Sequence, residues 1–147
     1  RAAWQNGQPR VGRQFWINAN SNALDIAVLE WCKLFADKDG KHHWRRLIDD
    51  QQSFRSDLCS ELHMSSDEFT AYVKSVLHYR NKFVAHLDEE AVMHVPATKV
   101  LRKSAAFLFE RLRNDPNNEQ HLADAPSAQA HYTWMFRHAR SELARAT

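Results

Sequence analysis

At 147 residues the chain fits one domain with a single core of ordinary size. Its 44% apolar and 26% charged residues are those of a soluble globular protein, and three Gly and four Pro are too few for a turn-rich β fold. A formal charge of +2 excludes nucleic-acid binding driven by bulk charge, so any such claim rests on where individual Arg and Lys fall.

No apolar run approaches the ~20 residues of a membrane span, and the start lacks a basic-then-apolar signal pattern. Cys32 and Cys59 are isolated, with no C-x-x-C spacing, and read as reduced thiols packed as small hydrophobes in a cytoplasmic protein. The first residue is Arg1 and not Met, which implies a missing N-terminal piece.

Helical periodicity runs almost throughout. Ile17, Leu24, Ala27, Val28, Trp31, Leu34 and Phe35 form a stripe that predicts a first helix from about Phe15 to Ala36. Asp37-Lys38-Asp39-Gly40 stops it, with Gly40 as the terminator. A short helix carries Trp44, Leu47 and Ile48, and another carries Phe54, Leu58 and Leu62 at spacing four.

Ser65-Ser66-Asp67-Glu68 is a capping box with Ser65 as N-cap, and it starts a helix running from Phe69 to about His86. Val95-Pro96 breaks the chain. Ala97 to Arg113 resumes with Val100, Leu101, Ala105, Leu108 and Leu112 on one face. Residues 115–127, with two Pro and mostly polar neighbours, read as a linker. The C-terminal helix, residues 128–147, groups Tyr132, Met135, Phe136, Ala139 and Leu143. With no strand alternation and no internal repeat, the expected fold is all-α. Residues 1–114 form an antiparallel helical bundle, and the added C-terminal helix packs on it or on a partner subunit.

Arg80 is the anomaly in this pattern. At about 100° per residue, it lies roughly 20° from the centre of the stripe of Phe69, Val73, Val76, Phe83, Val84 and Leu87. An unpaired buried guanidinium costs several kcal/mol or more. Either Arg80 pairs with an acid, for which Asp25 and Glu30 of the first helix are candidates, or its face lines a cleft. His86 lies about 9 Å further along the axis and roughly 120° around it, so the two do not stack on one face.

The stretch Tyr79-Arg80-Asn81-Lys82-Phe83-Val84-Ala85-His86-Leu87-Asp88, at the end of an amphipathic helix, resembles the HEPN superfamily signature, most of all its abortive-infection, AbiU-like branch. The resemblance covers about residues 18–113 in helix order, with its specific residues confined to 79–88. It implies a metal-independent endoribonuclease of a phage-defence or toxin–antitoxin system, built as a homodimer that pairs two motifs at one cleft. It implies no cofactor and no metal, an RNA substrate, and an antitoxin protein as candidate partner. Carried over, Arg80 clamps phosphate, His86 moves protons near neutral pH, and Asn81 orients either of them. Some HEPN toxins carry a Tyr two positions after the His as a modification target. Asp88 stands there in this chain, which puts that mode of neutralisation in doubt. Other HEPN proteins bind ligands or assemble without cleaving anything, so the alternative is a non-catalytic nucleotide-binding or dimerisation module.

Plainer readings stand beside these. His86 suits a helix C-terminus, where a partial positive charge meets the helix dipole. Asn81 projects about 100° from Arg80 and fits a solvated position. A third class is a structural helical protein whose motif is accidental. His42, His43, His63, His78 and His94 lack the spacing of a zinc site. Lys41, Arg45 and Arg46 around Trp44 form a basic–aromatic cluster able to hold single-stranded nucleic acid. The commoner role of such a cluster is an exposed face with one anchoring aromatic. Lys99, Arg102 and Lys103 read as a solvated face.

Overall fold

The computed structural model describes residues 4–5, 8–9, 11–84, 95–122 and 124–146, and the fold is an all-α helical bundle. Two two-residue strands, β1 (Trp4–Gln5) and β2 (Gln8–Pro9), pair antiparallel with Gln5 opposite Gln8. The residues between them in sequence are Asn6-Gly7, the dipeptide that most favours a two-residue hairpin. A pattern search for alternating strands passes over so short a pair.

The chain divides into two units, residues 1–43 with 67–96 and residues 44–66 with 97–147.

In the first unit, α1 (Val11–Phe35) and α3 (Ser66–Tyr79) meet through aromatic side chains. Trp31 stacks on Phe35 and presents its ring to the edge of Tyr72, while Phe35 meets Phe69 edge-on. Phe35 lies against Phe69, Trp31 against Tyr72 and Asp25 against Tyr79, the contact order of an antiparallel pair. The buried face of α1 is Val28, Trp31, Cys32 and Phe35. It is rotated from the expected stripe, because Ala27 is exposed and Cys32 takes a core position. α3 starts at Ser66, which leaves Ser65 in the position of its N-cap.

In the second unit, a single 3-10 turn (Trp44–Arg46) leads into α2 (Gln51–Leu62). Asp50 caps α2, accepting a hydrogen bond from the Ser53 amide at 3.0 Å. α4 (Thr98–Arg113) packs antiparallel to α2, with Phe54 against Phe107 and Glu61 near Lys103. Fully buried Phe54 and Leu58 anchor this pair, each contributing roughly 2–3 kcal/mol by leaving water. The stretch expected to be a linker contains a 3-10 turn (Pro116–Asn118) and a one-turn helix, α5 (Glu119–Leu122). α6 (Ala128–Ala146) then returns toward α4, its Ala128 amide donating to Glu110 at 2.6 Å.

Candidate functional site

The α-helical geometry of α3 ends where the motif begins. From Arg80 to Val84 the helix widens into one π turn. Such turns close hydrogen bonds five residues apart, so each residue advances the face by less than in an α-helix. The angular spacing assumed for residues 80–86 therefore does not carry past Tyr79.

Arg80 reaches back along α1 to its C-terminal end. Its Nη1 donates to Asp37 Oδ1 at 2.6 Å, and its Nε donates to Asn81 Oδ1 at 3.2 Å. The sequence offered Asp25 and Glu30 as partners, but each is engaged elsewhere. Asp25 accepts from the Tyr79 hydroxyl at 2.9 Å, and Glu30 pairs with Lys33 on its own helix. The Arg80 side chain is 21% exposed and that of Asp37 36%. The pair thus sits at the rim of the packed face and is not sealed inside it.

The end of α1 places Asp37. The amides of Ala36 and Asp37 both donate to the Cys32 carbonyl at 2.9 Å, so the last turn carries its backbone one residue beyond the α pattern. Gly40 is not the helix terminator. Its amide closes a turn on the Asp37 carbonyl at 2.8 Å, and a Cβ there would stand 2.9 Å from that oxygen. Glycine is required because the chain folds back tightly on the residue that holds Arg80.

Behind the pair lies the Cys32 thiol, fully buried. Burial pushes its pKa up from 9.0 to about 11, with Asp37 adding to the rise and Arg80 opposing it. The Tyr79 hydroxyl is pushed up from 10.0 to about 12, first by burial and then by its bond to Asp25, whose carboxylate a phenolate would face. The structure thus joins Arg80 and Asn81 and adds Asp37 to them. His86 and Asp88 lie outside the described residues. Sequence reasoning used Asp37 only as part of a helix stop, and no spacing rule links it to a residue 43 positions away.

The basic–aromatic cluster resolves as packing. Trp44 is 4% exposed and stacks on Phe54, with Arg45 over its ring at 5.4 Å. No face of that indole remains for a nucleobase. His43 is buried, and among the described residues no three His, Cys, Asp or Glu side chains converge on a metal-sized site. Of the residues read as a solvated face on α4, Arg102 lies over the Tyr132 ring at 4.4 Å and Lys103 is 3.6 Å from Glu61. A cavity of about 640 Å³ between α2, α4 and the turn after α4 is lined by Asp49, Asp50, Asp57, Glu110 and Asp115 against one Arg111. Its charge repels phosphate.

No family model, no curated protein and no solved structure matches the chain.

Proposed function

We propose that the protein is a metal-independent endoribonuclease of the HEPN type. In this reading it acts in the cytoplasm, within a phage-defence or toxin–antitoxin system. The observation that carries the reading is the state of Arg80. A guanidinium follows the buried face of Phe69, Val76 and Tyr79 on α3, at the start of a π turn, and keeps a fifth of its side chain open to solvent. π turns occur disproportionately at functional sites. Nη1 donates to Asp37, Nε donates to Asn81 and the guanidinium also faces the Cys32 thiol, so a phosphoryl oxygen would meet its solvent-open part.

The chemistry fits the residue types. The ribose 2′-oxygen attacks phosphorus, the bond to the 5′-oxygen breaks, and a 2′,3′-cyclic phosphate and a 5′-hydroxyl result. Arg80 stabilises the charge growing on the phosphoryl oxygens. His86 takes or returns the proton, and Asn81 holds Arg80 through its Nε contact. A second copy in a homodimer would bring a second motif to the same cleft, and an antitoxin protein would cover it.

The Asp37 pair favours a second reading, a non-catalytic HEPN-type nucleotide-binding or dimerisation module. Here Asp37 holds the guanidinium as scaffold, and ligand phosphate only supplements it. Incubation with RNA and with its 2′-deoxy counterpart, both in EDTA, tests the two. Cleavage of RNA alone, lost in Arg80→Ala and in His86→Ala, is expected. Full activity in both variants overturns the catalytic assignment, and binding of both polymers without cleavage selects the module.

A further inference from the structure

The bonds that tie α6 to its neighbours, among the described residues, lie at its first turns. Its first turns are tied to α4 by the Ala128 amide on Glu110 and by Arg102 over Tyr132, and the Arg113 guanidinium holds the Ala125 carbonyl just before it. Beyond them every residue from Trp134 to Glu142 is exposed, with Trp134 at 60%, Phe136 at 51% and Met135 at 47%. Isolated helical segments of this length are marginal in water, and helices in proteins owe most of their stability to an apolar face packed on something.

The side presented has a definite chemistry. At about 100° per residue, Phe136, Arg140, Arg137 and Trp134 follow one another around the helix in steps of roughly 40–60°. Arg140 leans on Phe136 at 5.9 Å, and Trp134 stacks on His138. α6 carries Arg137, Arg140 and Arg145 against a single Glu142. The same unit presents the opposite surface in the cavity between α2 and α4, where five carboxylates face one guanidinium above Ile48 and Phe107. Arg111 offsets Asp57 and Arg113 offsets Glu110, which leaves Asp49, Asp50 and Asp115 to make the groove acidic. Asp50 caps α2, Asp115 accepts from the Asn117 amide, and Asp57 is 4.0 Å from Arg111.

We propose that a second copy of this chain covers α6, in a reciprocal two-fold dimer where the Phe136–Arg140–Arg137–Trp134 side of each α6 lies in the partner's acidic cavity. The match has an aromatic and basic ridge against an acidic groove with an apolar floor, and across a two-fold axis each such contact has a symmetric twin. It goes beyond the reading of Arg80 and holds whether or not RNA is cleaved.

Sedimentation equilibrium of the full chain, with paired charge reversals, tests it. Wild type is expected to dimerise, and more weakly as salt rises, because the charges are partly solvated. Arg137→Glu with Arg140→Glu, and separately Asp49→Lys with Asp115→Lys, should each weaken the dimer at least tenfold while keeping wild-type helical circular dichroism. Mixed together, the two variants should form a heterodimer, since both of its contacts pair opposite charges. Wild type monomeric at 100 µM overturns the proposal, as do reversals that leave the dimer intact or a mixture of folded variants that stays monomeric. Monomeric wild type that sediments with phosphatidylserine vesicles would assign α6 to a membrane surface instead. If these variants misfold, Trp134→Ala with Phe136→Ala, both at exposed positions, takes their place and should weaken the dimer to the same degree, an unchanged dimer overturning the proposal.

Discussion

A guanidinium in an apolar stripe is tolerable only where its charge is compensated or wet, and Arg80 has both remedies in part. Asp37 lies 2.6 Å away, yet a third of the Asp37 side chain is exposed. Exposed pairs contribute about 0–1 kcal/mol, and breaking sealed ones costs about 3–5. Arg80→Ala should therefore cost about 1–2 kcal/mol in urea titration, with an unchanged m value. A loss above about 3 kcal/mol would mark Arg80 as scaffold. Asp37→Asn keeps the shape and releases the guanidinium, so it should strengthen phosphate binding in competition titrations if Asp37 only occupies the fork. Weakened binding would show that Asp37 positions it.

Cys32 and Tyr79 in the same unit make stability fall at alkaline pH. Their folded-state pKa values of about 11 and about 12 lie above the ordinary 9.0 and 10.0. Between these values the unfolded chain has given up the proton and the folded chain has kept it. Raising pH therefore favours unfolding. The stabilisation is full below pH 9 and is lost as pH climbs through about 11 to 12, on the order of 1–3 kcal/mol for each group. Urea midpoints measured from pH 8 to 11 should fall, and Cys32→Ala should flatten the lower part of the slope. A flat wild-type profile would refute the assignment.

Helix ends show how local chemistry sets the elements. α2 begins on the Asp50 cap and ends at His63, which adopts the left-handed conformation with φ 54° and ψ 46°. The His63 amide bonds the Ser60 carbonyl and the Met64 amide bonds that of Cys59, the paired bonds of a glycine-type helix stop made here by a histidine. A side chain there bears a steric cost that glycine lacks. His63→Gly should stabilise the protein by about 1 kcal/mol, visible as a rise in thermal midpoint. A lowered midpoint would mean that the exposed imidazole contributes more than the backbone strain costs. α4 begins at Thr98, and its N-cap residue Ala97 offers no side-chain hydrogen bond to the first turn. In α3 the π turn after Tyr79 is the element that turns the motif away from a simple helical stripe.

Across the molecule, charge is distributed by sign and not in bulk. A net +2 conceals an acidic cavity in the second unit and a basic, aromatic α6 in the same unit. The acidic lining of that cavity disfavours phosphate there. If a dimer forms through α6 and Arg80 also pairs across it, one two-fold axis must serve both contacts, because two different axes build an open chain. Cleavage of RNA in EDTA should follow a pH profile governed by a His titration, and Arg80→Lys should abolish it by removing the planar fork. Activity that requires added divalent metal, or that survives Arg80→Lys unchanged, would remove the proposed chemistry.

Periodicity and stop signals were enough to determine the all-α class and several helix boundaries, because apolar spacing and capping are properties of neighbouring residues. α3 follows Ser65, α2 carries Phe54 and Leu58, and α4 ends at Arg113. They also singled out Arg80 as out of place. They did not show its partner, since Asp37 comes to it only when the end of α1 folds over Gly40 beside the π turn. Nor did they show that Trp44, flanked by cations, spends its face on Phe54. Those outcomes depend on which surfaces of distant segments meet, and the energy of burying a ring or pairing a charge is settled only when the helices pack.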